Sequence, residues 1–191
     1  MNQVYIEDKT FEKESYAISP FAKGEYENCR FIDCDFSNAD LKDVKFLECE
    51  FSGCNLSLAK IDRTAFSNVK FRDCKLLGLL FTNCQEFGLS FQFDGCILDH
   101  SSFYKAKIKK TIFRNSKLTE VDFSDCDLSA SIFDMCDLLN AKFENTILEK
   151  ADFRTAYHYS IDPELNRIKK AKFSLEGIGG LLDKYDIEIE K

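Results

Sequence analysis

The amino-acid sequence predicts an all-β fold, a right-handed β-helix with four sides in each coil. Three observations lead to this prediction. Apolar residues return at every fifth position, and the residue two positions before each of them is usually small. Phenylalanines return at every twentieth position. A period of five matches neither the 3.6 residues of an α-helical turn nor the two-residue alternation of a strand. It indicates a short extended piece and a tight turn, repeated so that one large and one small side chain point inward.

The large apolar series forms two runs. The first begins at Phe31 and ends at Phe81, the second begins at Phe93 and ends at Phe153, and every fifth position within each run is apolar. Because internal repeats of this kind mark solenoid architectures, this regularity is the main evidence for the fold. The two runs differ in phase by two residues, so we expect a bulge or kink at 82–92 rather than a long loop.

The number of sides follows from the residues that would stack above one another. If four five-residue sides close one coil, residues twenty positions apart lie about 4.8 Å apart, the spacing of paired strands. A three-sided coil would instead mix Phe31, Phe46, Ile61 and Leu76 in one column. The right-handed crossover rule gives the hand of the coil. With four sides and the two-residue slip, one column contains only phenylalanine: Phe11, Phe31, Phe51, Phe71, Phe93, Phe113, Phe133, Phe153 and Phe173.

The nine cysteines also follow the repeat. All except Cys84 lie in the small inward series, and Cys84 does so in the phase of the first run. They therefore act either as small hydrophobic residues, equivalent to Ala, Ser and Thr, or as metal ligands or disulfides. A column such as Cys34, Cys54 and Cys74 lacks the convergent geometry of a zinc site. We interpret the cysteines as reduced core residues and expect no metal site and no cofactor.

The chain divides into three parts. Residues 1–25 form an N-terminal cap with partial first coils, residues 26–173 form the solenoid, and residues 174–191 form a separate C-terminal segment. Within that segment, 174–185 has the pattern of a short amphipathic helix, and 186–190 alternates as a strand does. It either caps the solenoid or joins two chains in a dimer. The candidate dimer residues are Ile178, Leu181, Leu182, Ile187 and Ile189.

Charge is distributed unevenly. Lys and Arg number 26 and Asp and Glu number 33, a net charge of −7 that argues against direct nucleic-acid binding. A basic belt at 105–117 contains no acidic residue, whereas 118–155 is acidic. The acidic part is either an ordinary solvated surface or a face that a basic groove of a partner recognises. The candidate partner-contact residues are Glu120, Asp122, Asp125, Asp127, Asp134, Asp137 and Glu144.

Catalytic motifs are missing from the sequence. It contains no phosphate-binding glycine loop, no H-E-x-x-H motif and no Ser/His/Asp arrangement, and we expect no catalytic residues. His100 is expected in an outward turn, and His158, at a central position of the last coil, is expected to be a capping residue. Because there is no apolar run of signal-peptide or membrane-spanning length, we expect a cytoplasmic protein that does not enter a membrane.

Individual repeats, such as Ala39-Asp40-Leu41 and Ala151-Asp152-Phe153, resemble the Ala-(Asp/Asn)-Leu-X-X consensus of the pentapeptide-repeat family. The closing stretches Tyr157-His158-Tyr159, Ala171-Lys172-Phe173 and Leu181-Leu182-Asp183 resemble the gyrase-interacting branch, which includes the quinolone-resistance and albicidin-resistance proteins. That resemblance implies a head-to-head homodimer through the C-terminal segment. It also implies a DNA-like rod that occupies the DNA-binding saddle of DNA gyrase or topoisomerase IV and protects the enzyme from poisons.

Physical size sets a bound on such mimicry. A dimeric rod of about 70 Å would replace duplex DNA carrying about forty charges, whereas each protomer carries only −7. Mimicry would then be confined to the acidic part of the rod. The alternative is a structural or scaffolding solenoid that binds an unrelated protein partner, and an enzyme is a third possibility.

Overall fold

In the computed structural model, which describes residues 4–190, the chain winds as a parallel β-solenoid with four sides. Side 1 begins with a four-stranded sheet of β1 (Val4–Glu7), β3 (Gly24–Glu27), β5 (Lys45–Leu47) and β7 (Ala65–Ser67). Side 2 is a seven-stranded sheet of β2 (Thr10–Glu12), β4 (Arg30–Ile32), β6 (Glu50–Ser52), β8 (Val69–Arg72), β9 (Phe91–Asp94), β10 (Ile112–Arg114) and β11 (Ile132–Asp134). The predicted fold class is confirmed.

Sides 3 and 4 are held by single parallel bridges between successive coils rather than by longer strands. On side 3 the bridges run from Asp35 through Asn55 to Lys75, and on side 4 from Ser102 through Asp122 to Lys142. Side 1 continues in the same way from Lys107 to Asp127. The chain therefore passes through sides 1, 2, 3 and 4 in order and rises by one coil about every twenty residues.

The phenylalanine column lies on side 2 as the sequence predicts. Neighbouring rings from Phe11 to Phe173 are stacked, with centroids 4.6–5.4 Å apart and planes inclined by no more than 18°. The small inward series is buried beside them, including Cys49, Thr64 and Ser101. The interior is one continuous core of stacked large and small side chains.

Most corners of the coil are residues with positive φ. Asn38, Asp73 and Lys105 have φ values of 58°, 51° and 60°. A left-handed conformation is unfavourable for residues other than glycine, although Asn and Asp tolerate it best. Backbone hydrogen bonds to the next coil offset this cost, as the Asn38 amide does by donating to the Ser57 carbonyl at 3.0 Å. The corners expose side chains that point away from the rod.

The phase slip is a short turn. After a 3₁₀ turn at Phe81–Asn83, the chain departs from the regular path of side 1 and then joins side 2 at β9. Residues that pair across this turn are twenty-two positions apart, as Phe71 and Phe93 are. Phe87, at the tip of this turn, is 90% exposed, and Gly88 beside it has φ 76°. The two extra residues are thus absorbed on one side without disturbing the other three.

The C-terminal segment differs from the predicted helix and strand. It contains two 3₁₀ turns, Ile178–Leu181 and Asp183–Tyr185, and within the described part of the chain no strand follows them. Gly179 and Gly180 weaken an α-helix, and the Gly180 carbonyl accepts a hydrogen bond from the Ile161 amide at 2.8 Å. Asp186, which ends the second of these turns, has the left-handed φ of 50°.

Candidate interaction surface

The inward cysteines offer no accessible chemistry. All nine thiols are free, and all except Cys84 are buried. The Cys54 thiol donates to the Phe31 carbonyl at 3.3 Å, and burial raises the pKa of the Cys126 thiol. Between residues 4 and 190, no His, Cys, Asp and Glu side chains are grouped so that they could hold a metal ion. The same residues include no helix long and apolar enough to cross a membrane.

The predicted partner-contact acids are distributed around the rod. Asp122 bridges on side 4 and Asp125 occupies the following corner, with Glu144 one coil further along. Asp127 bridges on side 1. The others lie on the remaining sides: Asp134 on side 2, and Asp137 and the corner residue Glu120 on side 3. The predicted residues therefore do not form a single acidic face.

Ion pairs separate these acids into two groups. The Asp127 carboxylate lies 3.1 Å from the Lys109 ammonium, and Asp134 lies 3.2 Å from Arg114. His158 lies 2.9 Å from Asp137, and His100 lies 3.2 Å from Glu120. These carboxylates already have a cationic or hydrogen-bonding partner on the rod, which makes them less available to another protein.

The acids on side 4 have no such partner. Within residues 4–190, no cation lies within ion-pair distance of Asp122, Asp125 or Glu144. The Asp125 amide donates to the Glu144 carbonyl at 2.8 Å, so these two residues are adjacent, and Asp122 accepts a hydrogen bond from the Ser124 amide at 2.9 Å. We call Asp122, Asp125 and Glu144 the side-4 acidic patch. Their role in partner binding stays a prediction.

The basic belt encircles the rod, because thirteen consecutive residues pass around most of one coil. Much of its charge is neutralised on the rod. The Lys107 ammonium lies 2.5 Å from Glu86, and Lys109 and Arg114 pair with Asp127 and Asp134. Lys105, at the corner below Asp125, lies over the Tyr104 ring at 4.8 Å. The belt therefore interrupts the acidic surface less than its sequence suggests.

The predicted dimer residues divide between two environments. Leu181 is partly buried against the core, and Leu182 is half-buried. Ile178, Ile187 and Ile189 are exposed. The segment thus covers the last coil and also presents apolar side chains to solvent, so both the capping and the dimer interpretations keep their basis.

A cation holds this segment in place. The Lys184 ammonium lies 2.8 Å from both Asp162 and Glu164. Its hydrogen bonds lower the pKa of both carboxyl groups.

His158, expected at a central position, is instead an exposed corner residue with φ 58°, and Tyr159 is buried in its place. The repeat is therefore irregular here, and it resumes where Arg167 and Lys172 bridge to Ile147 and Asp152.

Known proteins share both the repeat and the coil. A family model described as the pentapeptide repeat region matches residues 25–92 and 89–157. Two solved structures of trypsin-treated QnrB1, described as a plasmid-mediated fluoroquinolone resistance protein, are similar over the whole rod. One is 16% identical with a TM-score of 0.63 and covers 100% of both chains. The other is 17% identical with a TM-score of 0.64 and covers 99% of this chain and 98% of that chain.

A more distant match is HetL from the cyanobacterium Nostoc, a pentapeptide repeat protein involved in heterocyst differentiation regulation. It is 14% identical, has a TM-score of 0.42 and covers 92% of this chain and 86% of that chain. A search of curated proteins finds no match.

Proposed function

Because this chain belongs to the pentapeptide-repeat family, we propose that it is a cytoplasmic, DNA-mimicking protein that binds a type II topoisomerase, DNA gyrase or topoisomerase IV. Bound there, it protects the enzyme from quinolones or toxin-like inhibitors. The observation that carries the proposal is the side-4 acidic patch, which holds three carboxylates without an ion pair among residues 4–190 on one side of the rod. QnrB1, whose fold this chain shares, is a fluoroquinolone resistance protein.

Electrostatics explains why this patch matters more than the total charge. A groove built to bind DNA is lined with cations, and it attracts carboxylates that are not already paired. Asp122, Asp125 and Glu144 meet that requirement, whereas Asp127 and Asp134 are engaged with Lys109 and Arg114. Among the residues that the structure describes, three carboxylates without an ion pair therefore lie close together on side 4. A partner that recognises shape and charge needs no catalytic group on the rod.

The first test is a DNA supercoiling assay with purified gyrase, titrated with this protein in the presence and absence of a fluoroquinolone. We expect rescue of supercoiling at low protein concentration and inhibition at high concentration. Inhibition without rescue would show binding without protection. No effect on gyrase or topoisomerase IV would contradict the proposal and favour the scaffolding alternative.

Charge reversal of the side-4 acidic patch is expected to weaken topoisomerase binding by at least about tenfold. The variant combines Asp122→Lys, Asp125→Lys and Glu144→Lys, and tenfold corresponds to about 1.4 kcal/mol of lost charge complementarity. The chain itself has lysine at equivalent places one coil away, Lys105 and Lys142. The measurement is the protein concentration that gives half-maximal inhibition of supercoiling.

The matched control replaces Glu7, Glu12 and Glu14 by Lys at the other end of the rod. These substitutions change the net charge by the same amount. We expect this variant to inhibit gyrase as the unmodified protein does. If both variants lose activity equally, net charge rather than the patch determines binding, and the DNA-mimic interpretation fails for this surface.

The proposal includes a homodimer through the C-terminal segment. Replacing Ile187 and Ile189 by Asp is expected to convert the dimer to a monomer, because these exposed side chains would bring charge into an apolar contact. Sedimentation velocity measures the change. Ile18→Asp, at another exposed isoleucine, is expected to leave the dimer intact. A monomeric unmodified protein would contradict this part of the proposal.

A further inference from the structure

A groove of about 750 Å³ lies beside the C-terminal turns, where side 2 meets side 3. One wall consists of apolar side chains that point outward from neighbouring coils, namely Met135, Leu139 and Tyr157. They are 55%, 45% and 44% exposed. Outward positions of the repeat are otherwise mostly polar, so three large apolar residues along one groove are a local exception that marks interaction surfaces.

The opposite wall is bare backbone. Gly177 and Gly180 pack against Tyr159, and a Cβ at Gly177 would collide with the Tyr159 hydroxyl, as one at Gly180 would with the Tyr159 carbonyl. Only glycine allows this close approach. Among the residues described, the Tyr159 hydroxyl is the buried side-chain polar atom without a hydrogen-bond partner. The groove is therefore formed by the fold itself and has an unused polar group beneath its wall.

The charge that remains at the groove is negative. Arg154 forms an ion pair with Asp152, with its Nη2 atom 2.7 Å from the carboxylate, and His158 contacts the Asp137 carboxylate in the same way. Glu176 and Asp183 also line the groove. Neither has a cation within ion-pair distance in the part of the chain that the structure describes. A ligand that fills the apolar wall would thus meet two uncompensated carboxylates at its edge.

We propose that this groove binds an extended segment of a partner protein in which apolar side chains are flanked by Lys or Arg. The apolar side chains cover Met135, Leu139 and Tyr157, and the basic ones pair with Glu176 and Asp183. The groove does not include the side-4 acidic patch, so this site is separate from the surface proposed to contact topoisomerase. It also differs from the exposed Ile187 and Ile189 on which the proposed dimer depends.

The test uses the full chain and a fluorescein-labelled peptide, Lys-Leu-Arg-Phe-Lys-Leu, with fluorescence anisotropy as the readout. We expect saturable binding that is at least about tenfold tighter than binding of Glu-Leu-Glu-Phe-Glu-Leu. The Met135→Asn variant is expected to weaken binding at least about fivefold. Combined Glu176→Lys and Asp183→Lys substitutions are expected to weaken it further and to reduce its dependence on salt.

The control is Leu58→Asn. Leu58 and Met135 are both exposed corner residues with positive φ, 58° and 53°, a conformation that asparagine tolerates. Leu58→Asn is expected to leave peptide binding unchanged. Equal binding of the two peptides, or equal loss in the two Asn variants, would overturn the proposal. So would a dimer that Met135→Asn converts to a monomer, because a second copy would then occupy the groove.

Discussion

Replacing Phe113 by alanine is expected to lower the free energy of unfolding by about 3–5 kcal/mol. The Phe113 ring is fully buried and stacks on two others, Phe93 at 5.2 Å and Phe133 at 5.0 Å. Removing it leaves a cavity that neither neighbour can fill, because each is held in its own coil by backbone hydrogen bonds. The measurement is the urea-induced unfolding transition followed by circular dichroism.

The Phe11→Ala variant is the matched control for this prediction. Phe11 stacks on Phe31 at 4.9 Å but has no ring above it in the column, and it is only partly buried. In a solenoid each coil contacts only its neighbours, so a defect at the end removes one interface and a central defect weakens two. We expect Phe11→Ala to lower the free energy of unfolding by less than half as much as Phe113→Ala does. Equal losses would show that the column does not act as a series of neighbour contacts.

The core was predictable from the sequence because its positions obey a strict period. Whether a residue points inward depends only on its place within five, and which residues stack depends only on steps of twenty. Phe31, Phe51 and Phe71 could therefore be placed in one column before the structure was known. The two-residue slip was also visible, because it shifts every later position by the same amount.

The acidic surface was harder to predict for the same geometric reason. Residues close in sequence pass to different sides, so Asp122, Asp127 and Asp137 lie on sides 4, 1 and 3. A charged run in the sequence becomes a ring around the rod rather than a face. Counting charges by steps of twenty would have identified the sides, but the cross-coil pair of Lys109 with Asp127 also depends on side-chain conformations that the sequence does not specify.

The C-terminal segment lies beyond the repeat, so no period constrains it. The apolar spacing of Ile178, Leu181 and Leu182 favours a helix, but contacts of Gly177 and Gly180 with Tyr159 outweigh that local preference. The groove beside it was missed because it forms only when this segment meets the last coils. Its one visible signal is Met135 and Leu139 at outward positions of the repeat.

Raising the pH above about 9 is expected to destabilise the fold through its buried thiols. Burial raises the pKa of Cys49 and Cys136 from 9.0 to about 12. Below 9 both states hold these protons, so stability is unaffected. Between about 9 and 12 the unfolded chain loses them while the folded chain keeps them, which favours unfolding by about 1.4 kcal/mol per pH unit for each thiol. The measurement is the urea midpoint as a function of pH.

The Cys49→Ala and Cys136→Ala substitutions, made together, should reduce this slope. Alanine already occupies the same inward position at Ala39 and Ala59, so the repeat tolerates it. The control is Val44→Ala, which removes buried volume at an equivalent position but no proton. Val44→Ala should lower stability equally at every pH, because packing does not titrate. The urea midpoint of the double cysteine variant should fall less steeply with pH than that of Val44→Ala. If the two midpoints fall equally steeply between about pH 9 and 10, the thiols are not what makes the fold sensitive to alkali.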